Sequence, residues 1–496
     1  MTGLLLGVDV GTTGVRAAVF DERGALVADA SLPGAPDTST PDRAEHDAEA
    51  WWRATCALTR QLATKIPIDR VEGIGVSGQA PTAVLIDADG APLRPALLWL
   101  DVRAKDEAQR IAAALGPGRA EAIGGNRVHP YYLGPKLAWL RAHEPEVLDR
   151  ASLVLQSHAF VAMRLTGVAA CDPSTAMLCA PLFAWRTGAW SEEASRAVGV
   201  RTDALPRIVE SHAVLGAVTR AAAAATGLRE GTPVVAGAGD FAASALAAGV
   251  LEQGEACLTL GTAGNLTMPR AMPRFDARLV NSHHAGCARW LGLGATLCGG
   301  ALAWFRSACA AGASWDTLEA EAAVVPLGAG GVVALPYLQG ERTPIWDEGA
   351  RGAFAGLGLS HGRGHMYRAL LEGIALGFRA CLAVAEESGV RLDEAIAVEG
   401  GGGSHALRQA CADAMGVPVV WIRGAGSSVA GAALLAGIGA GVLPGVQTSR
   451  TWLQSLEGRC APTDVTRHTP DPGAHDHFRR AQARHEALYA AIREAV

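Results

Sequence analysis

The chain has 496 residues, 49% of them hydrophobic, and a formal net charge of −6 at pH 7. It is long enough for two or three domains with apolar cores, and it has no basic block that would suit nucleic acid. Its longest apolar run, 429–443, is rich in Ala and Gly and too short to span a bilayer. No signal-like segment opens the sequence, and its 10 cysteines include no C-x-x-C pair. We therefore expect a cytoplasmic protein without zinc or disulfides, and with neither nucleic acid nor a membrane as a partner.

The first predicted elements form a β-hairpin whose turn suits a phosphate group. An apolar strand over 4–10 runs into Gly11, Thr12 and Thr13, and a second apolar strand follows. Such a turn directs backbone N–H groups and two hydroxyls at one point, and Asp9 is placed to reach a metal ion on a bound phosphate. An ordinary hairpin with a Gly-Thr turn is the alternative interpretation of this segment alone.

Strand-like and helix-like patterns then alternate along the chain, which predicts an α/β fold. The further elements predicted in chain order are a strand over 71–76, a hairpin with strands over 82–86 and 91–99, a helix over 102–115, an apolar strand within 232–240, a helix over 241–248, a strand over 395–398 and a helix over 405–415.

The segment 257–268 repeats the design of the opening hairpin. It has a strand, a turn containing Gly261 and Thr262, and a second strand. The repeat predicts two similar lobes, each with a phosphate-binding turn, and a boundary near residue 250. We assign the domains to 1–248 and 249–496. Chance recurrence of Gly-Thr in a chain with 60 glycines is the alternative.

Two further features suggest chemistry. Asp240 follows an apolar strand and small residues, so its carboxylate could stand over a cleft and accept a proton from a substrate hydroxyl. A helix N-cap is an equally good interpretation of Asp240 from the local sequence. The four glycines 400–403 lie between a predicted strand and a predicted helix. Backbone without side chains lets a flat group of a ligand approach closely, and the start of a helix favours an anion. A flexible loop is the alternative interpretation.

Two other nucleotide-binding designs are excluded. Neither 237–239 nor the run 400–403 fits G-x-G-x-x-G after a strand with an acidic residue about 20 positions on. The sequence also has no G-x-x-x-x-G-K-[ST], which excludes a P-loop enzyme. Phosphate binding by hairpin turns is the design that remains.

A series of short motifs runs in order along nearly the whole chain. They are 7–13 with Arg16, 75–79, 98–103, 136–140, 237–240, 260–264, 340–344, 351–357, 400–404 and 431–435. Each is weak alone, but together they resemble the FGGY carbohydrate kinases of the sugar kinase, Hsp70 and actin superfamily, and the xylulokinases most of all. The resemblance implies two actin-like, ribonuclease H-like lobes with the active site in a central cleft.

The resemblance also implies roles for single residues. The chain should be an ATP-dependent, Mg²⁺-using kinase of a small sugar, with Asp240 as general base and Asp9 near the magnesium, through water. A homodimer is one possible assembly. The positions that match nucleotide contacts are Gly11, Thr12, Thr13, Arg16, Gly261, Thr262, Gly299, Gly400, Gly401 and Ser404. The positions expected to contact the sugar are Gln79, Ala80, Pro81, Asp101, Arg103, Tyr131 and Phe241.

The sugar pocket departs from the pattern of the xylulokinases. Ala80 and Pro81 stand where xylulokinases carry Met-His and glycerol kinases carry Arg-Glu, and Phe241 replaces an Asn. Tyr131 instead resembles a substrate-contacting Tyr of glycerol kinases. We expect phosphorylation of a terminal hydroxyl of a ketopentose in carbohydrate catabolism, with D-xylulose itself a poor substrate at best. The alternatives are a kinase for another ketose or polyol, and a non-catalytic nucleotide-sensing member of the superfamily.

Overall fold

A computed structural model describes residues 3–398 and 404–495, and it confirms the predicted α/β fold. The strands are β1 (Leu4–Gly11), β2 (Gly14–Asp21), β3 (Leu26–Pro33), β4 (Glu45–His46), β5 (Val71–Gly78), β6 (Val84–Ile86), β7 (Ala96–Leu97), β8 (Leu153–Leu155), β9 (Phe183–Ala184), β10 (Ala189–Trp190), β11 (Val214–Ala217), β12 (Pro233–Val235), β13 (Ala238–Gly239), β14 (Glu255–Leu260), β15 (Ala263–Arg270), β16 (Val280–His283), β17 (Trp290–Leu297), β18 (Val333–Leu335), β19 (Ala353–Ala355), β20 (Glu394–Val398), β21 (Val419–Ile422) and β22 (Val465–His468).

The helices are α1 (Ala48–Ala63), α2 (Lys105–Leu115), α3 (Arg119–Gly124), α4 (Leu133–His143), α5 (Pro145–Arg150), α6 (Ser157–Thr166), α7 (Pro173–Ala176), α8 (Glu192–Val198), α9 (Arg220–Thr226), α10 (Asp240–Ala247), α11 (Gly299–Ala308), α12 (Trp315–Ala323), α13 (Arg363–Glu387), α14 (His405–Met415), α15 (Ser428–Gly439), α16 (Thr448–Glu457) and α17 (Pro472–Ala495). Among the residues that the structure describes, none of these helices combines the length and the apolarity needed to cross a membrane.

The chain divides into two compact units. The first contains the residues up to Gly249 together with Asn281–Trp290 and Gly426–Gly458. The second contains Val250–Val280, Leu291–Ala425 and the residues from Arg459 onward. The predicted domains 1–248 and 249–496 are contiguous, whereas the first unit also includes two segments from later in the chain.

The sheet of the first unit places several strand ends at one edge. Its order is β11-β12-β5-β1-β2-β3, and β13 also pairs with β5. Strands β1, β2 and β3 are antiparallel neighbours, whereas β1, β12 and β13 all run parallel to β5. Because parallel strands end at the same edge, the residues that follow β1, β5 and β13 lie close together. These residues are Thr12, Gln79 and Asp240.

The apolar run 429–443 forms most of a buried helix rather than a membrane span. Helix α15 packs directly on β1 and β5, where Gly7 and Gly75 are opposite each other in the parallel pair. A Cβ atom at Gly7 would lie 1.9 Å from the carbonyl oxygen of Val429, and one at Gly75 would lie 2.0 Å from that of Ala432. Glycine is therefore required at both positions, because the helix backbone occupies the space of a side chain.

The second unit repeats the arrangement of the first sheet. Its strands follow the order β17-β15-β14-β20-β21-β22. Strand β14 is antiparallel to β15 and parallel to β20, just as β1 is antiparallel to β2 and parallel to β5. The turn at Gly261 and Thr262 joins β14 to β15, so the predicted repeat of strand, Gly-Thr turn and strand is confirmed.

Two of the predicted elements were wrong in detail. Segments 82–86 and 91–99 do not pair as a regular hairpin: β6 pairs with β8 and β7 with β4, and only isolated bridges join the two segments. The strand within 232–240 is split into β12 and β13 by Gly237, whose φ is 81°. A Cβ atom at Gly237 would lie 1.8 Å from the carbonyl oxygen of Val76, so the chain bends there against β5.

Candidate active site

Asp240 lies where β13 meets α10. It is the first residue of α10, with Gly239 as the N-cap, and its Oδ1 accepts a hydrogen bond from the N–H of Phe241 at 2.7 Å. Burial, and then repulsion from Asp9, raise the pKa of Asp240 from 3.8 to about 7. Asp240 is therefore not the helix N-cap, and its carboxyl group can exchange a proton near neutral pH.

Asp9 is the second carboxylate of this region. Its Oδ1 accepts a hydrogen bond from Ser77 Oγ at 2.8 Å, and Arg16 is its cross-strand partner on β2. Burial raises the pKa of Asp9, while hydroxyl groups of Ser77 and Ser428 and the charge of Arg16 oppose that rise. Its Oδ2 lies 3.6 Å from the place a Cβ would take at Gly11, so this oxygen is next to the turn. The described residues contain no cluster of three or more His, Cys, Asp or Glu side chains suited to a metal ion.

The Thr12 hydroxyl joins two other side chains of the first unit. It donates a hydrogen bond to Gln79 Oε1 at 3.3 Å and accepts one from Trp99 Nε1 at 3.0 Å. Gln79 is 1% exposed, and its Nε2 has no hydrogen-bond partner among the described residues. A buried amide donor without a partner costs free energy unless a ligand or water accepts its hydrogen bond. Sequence reasoning missed Trp99, although this residue lies inside the motif 98–103.

Three of the other predicted sugar contacts, Ala80, Pro81 and Phe241, have apolar side chains. Ala80 and Pro81 are buried, and the Tyr131 hydroxyl donates a hydrogen bond to the carbonyl oxygen of Ala80 at 3.4 Å. The ring of Phe241 lies over Gly239, where a Cβ would be 2.7 Å from the ring atom Cε1. None of the three apolar side chains can donate or accept a hydrogen bond.

Asp101 and Arg103, by contrast, are bound to each other. Arg103 Nη2 lies 2.6 Å from Asp101 Oδ2 and 2.7 Å from Glu45 Oε1, and Arg103 Nε donates to Asp101 Oδ1 at 2.9 Å. Asp101 Oδ2 also accepts the N–H of Ala44 at 2.8 Å. The guanidinium lies over the ring of Trp139, 4.8 Å from its centre. Arg103 thus compensates the buried charge of Asp101, and a direct contact of either residue with sugar stays a prediction.

In the second unit, the Gly261–Thr262 turn adjoins the start of α11. The N–H of Gly299 donates to the carbonyl oxygen of Gly261 at 2.8 Å, and that of Gly300 donates to the carbonyl oxygen of Thr262 at 3.0 Å. A Cβ atom at Gly299 would lie 2.8 Å from the same Gly261 oxygen. The structure thus brings together three of the predicted nucleotide contacts, Gly261, Thr262 and Gly299.

The other predicted nucleotide contacts that the structure describes are Thr13 and Arg16 in the first unit and Ser404 in the second. Ser404 caps α14, and its Oγ accepts a hydrogen bond from the N–H of Leu407 at 2.9 Å. The side chains of Thr13 and Arg16 are exposed beside the first turn. The predicted contacts Gly400 and Gly401 lie outside the described residues.

Known proteins resemble the chain over nearly its full length. The N-terminal domain model of the FGGY family of carbohydrate kinases matches residues 4–247, and the C-terminal domain model matches residues 257–440. The xylulose kinase of Bacillus subtilis (strain 168) is 30% identical over 462 residues, which cover 92% of this chain and 90% of that protein. The xylulose kinase of Klebsiella pneumoniae is 32% identical over 423 residues, covering 85% and 86%. The crystal structure of xylulose kinase from Rhodospirillum rubrum matches with a TM-score of 0.88 and 34% identity, covering 99% of each chain.

The chain therefore belongs to the FGGY family of carbohydrate kinases. The family resemblance that the motifs predicted is confirmed, as is its likeness to xylulose kinases. The protein is an enzyme that phosphorylates a small sugar, and ATP is the phosphoryl donor that sugar kinases of this family use. The α/β fold with two actin-like units is the fold of these kinases.

Proposed function

We propose that this kinase transfers the γ-phosphoryl group of ATP to a terminal hydroxyl of a small open-chain sugar, with Asp240 as the general base. The observation that carries the proposal is the Asp240 carboxyl group at the shared edge of β1, β5 and β13, with its pKa raised to about 7 by burial and by Asp9. A base of this pKa is largely deprotonated just above neutral pH and still accepts a proton well. A protein that only sensed nucleotide would need no such group.

In the proposed reaction, Asp240 accepts the hydroxyl proton while the sugar oxygen forms its bond to the γ-phosphorus. The bond from that phosphorus to the β–γ bridging oxygen breaks, and the electron pair stays on ADP. In this proposal the backbone N–H groups of the turn at Thr12 and Thr13, the Arg16 guanidinium and the Thr262 hydroxyl would donate hydrogen bonds or positive charge to phosphate oxygens. Such donors stabilise the charge that spreads over the transferring group.

Asp9 fits a divalent cation held through water. Its carboxylate is a hard oxygen ligand, its pKa is raised by burial, and one oxygen lies beside the phosphate turn. Mg²⁺ prefers carboxylate oxygens and keeps several of its waters in proteins. When bound, Mg²⁺ would neutralise part of the phosphate charge, and Asp9 would orient its water shell.

For the acceptor, we propose a ketopentose or a related ketose or polyol other than D-xylulose. The xylulose kinases named above support an acceptor of this size. Gln79 offers a buried amide donor, whereas Ala80, Pro81 and Phe241 offer no hydrogen bond. A sugar hydroxyl directed at these three residues would stay unpaired, at a cost of about 1–3 kcal/mol. We place the reaction in the cytoplasm, in carbohydrate catabolism; the homodimer stays a prediction.

The experiment that tests the proposal is Asp240→Asn in an assay of sugar-dependent ADP release. The expected loss of turnover is about 10²–10⁴-fold, since a positioned base contributes about that much. The dissociation constant of ATP should stay within about twofold, because Asn keeps the size of the side chain. Asp89→Asn, in an exposed turn of the same unit, is the matched control and should leave turnover unchanged. A loss below about tenfold for Asp240→Asn would place the base elsewhere.

A further inference from the structure

A buried polar network in the first unit contacts Gly239, the residue before Asp240. The reaction proposed above does not use this network. Asp172 is at its centre, and His158, Ser174 and Thr175 surround it. Asp172 accepts hydrogen bonds from His158 Nε2 at 3.0 Å, from the N–H of Ser174 at 2.9 Å and from that of Thr175 at 3.3 Å. The hydroxyls of Ser174 and Thr175 also donate to the carboxylate. All four side chains are almost fully buried.

These donors keep Asp172 ionised. Burial alone would raise the pKa of Asp172. The hydrogen bond and charge of His158 and the hydroxyls of Ser174 and Thr175 lower it by more, so the pKa is below its ordinary value. A buried carboxylate with this many donors is satisfied and holds each donor in a fixed orientation. The network is therefore a rigid support.

The Ser174 hydroxyl connects the network to the residue before Asp240. Its single proton is donated to Asp172, so its oxygen is left as an acceptor. The N–H of Gly239 donates to that oxygen at 3.1 Å. The Ser282 hydroxyl in turn donates to the carbonyl oxygen of Ser174 at 2.7 Å and fixes the backbone there. Asp172 thus determines which way Ser174 presents its oxygen to Gly239.

His158 supports the same segment one step earlier. A Cβ atom at Gly237 would lie 3.4 Å from His158 Cδ2, so the imidazole packs against the bend that splits β12 from β13. The two residues after Gly237, Ala238 and Gly239, pair with Ser77 and Gly78 of β5. The network therefore touches the backbone on both sides of Ala238, immediately before Asp240.

We propose that Ser174, oriented by Asp172 and His158, is a positioning residue for the general base. It fixes the N–H of Gly239 and thereby directs the Asp240 carboxylate at the acceptor hydroxyl. This inference rests on the proposed function, because it needs Asp240 as the base. It predicts that loosening Ser174 slows the chemical step without weakening the binding of either substrate, since a base displaced by about 1 Å can lose about 10²-fold in rate.

Thr175 provides a matched control. Ser174→Ala and Thr175→Val each remove one hydroxyl that donates to Asp172. The Thr175 methyl carbon lies 3.2 Å from the place of a Cβ at Gly239, and Val retains this methyl group. A merely structural role for the network would make the two variants alike, whereas the positioning role separates them.

The experiment measures single-turnover phosphoryl transfer by quenched flow, with ATP and whichever ketose or polyol gives the highest kcat/KM. We expect Ser174→Ala to lower the rate by about 10- to 100-fold, and Thr175→Val to change it by less than about twofold. The dissociation constants of ATP and of that sugar should stay within about twofold in both, and the two Tm values should fall by similar amounts. If Ser174→Ala does not fold, Ser174→Cys replaces it, because the thiol is close in size to the hydroxyl but offers the N–H of Gly239 only a weak sulfur acceptor; the same loss of rate is expected.

Equal rates in Ser174→Ala and the wild type, or equal losses in Ser174→Ala and Thr175→Val, would overturn the positioning role. A loss that appears only in the dissociation constants would overturn it as well. Asp240→Asn, measured alongside, tests the proposed function separately: full transfer in that variant means that Asp240 is not the base, whatever Ser174 does.

Discussion

Replacing Asp240 with Asn should change how the stability of the protein depends on pH. In the folded chain, burial and then repulsion from Asp9 raise the pKa of Asp240 from 3.8 to about 7, whereas the unfolded chain keeps the ordinary value. The unfolded state therefore loses this proton at a lower pH than the folded state. The free energy of unfolding accordingly falls as pH rises from about 4 to about 7, and the penalty stays constant above that range. Asn carries no charge, so Asp240→Asn removes the penalty.

The size of the effect follows from the pKa of Asp240. Each pKa unit corresponds to about 1.36 kcal/mol, so a rise from 3.8 to about 7 corresponds to about 4 kcal/mol. Because Asp240 is partly exposed to water, this figure is an upper limit. The free energy of unfolding of Asp240→Asn, relative to wild type, should therefore increase between about pH 4 and about pH 8 by up to that amount.

The assay is urea unfolding of both forms, followed by tryptophan fluorescence at a series of pH values. Taking the difference between variant and wild type cancels the groups that titrate alike in both. Asp89→Asn, which removes an exposed carboxylate from a turn of the first unit, should show no comparable trend. A difference for Asp240→Asn that is the same at every pH would refute the reasoning, because it would mean that the folded chain does not raise the pKa of this carboxyl group.

Three further predictions concern ATP, packing and the sugar. Thr262→Val should weaken the binding of ATP about 10- to 100-fold and leave the binding of the sugar almost unchanged, since a hydrogen bond to a charged group contributes about 1.5–3 kcal/mol. Calorimetric titration with each ligand measures the two affinities, and equal losses for ATP and sugar would contradict the prediction. Gly75→Ala should lower the free energy of unfolding by about 1–3 kcal/mol or prevent folding, because its Cβ would meet Ala432, whereas Gly358→Ala has room for the added carbon; similar urea midpoints for the two would be inconsistent with this. In a panel of ketoses and polyols, D-xylulose should give a low kcat/KM, because a pocket that leaves a hydroxyl unpaired discriminates strongly; D-xylulose as the best substrate by a wide margin would contradict the role proposed for Ala80, Pro81 and Phe241.

Much of the fold could be predicted because its signals are local. The helix over 405–415 was predicted with the bounds that the structure has, since Ser404 caps its start and Gly416 ends it with φ of 74°. The helix predicted over 102–115 begins three residues later, at Lys105. The pairing of segment 82–86 could not be predicted, because its partner β8 lies about 70 residues away in the sequence and follows several helices.

From the local sequence, Thr12 and Asp240 could be placed at the ends of strands, and the family resemblance added Gln79; their roles stay predictions. Thr12, Gln79 and Asp240 each follow a strand, and parallel pairing brings these strand ends to one edge. What each side chain contacts could not be read from the sequence, because the contacts join distant positions. Examples are Trp99 with Thr12, and the Ser174 hydroxyl with the N–H of Gly239. No local pattern marks such pairs, and only the folded packing brings them together.

The most direct test of Asp240 as the general base is the pH dependence of kcat/KM in the wild type and in Asp240→Asn. The account predicts that kcat/KM of the wild type rises with pH and reaches half its maximum near the pKa of the carboxyl group, about 7, because the base must be deprotonated to act. In Asp240→Asn the residual rate should be low and should lack this rise. A rise of the same shape in both forms would contradict the central claim, since some other group would then be titrating.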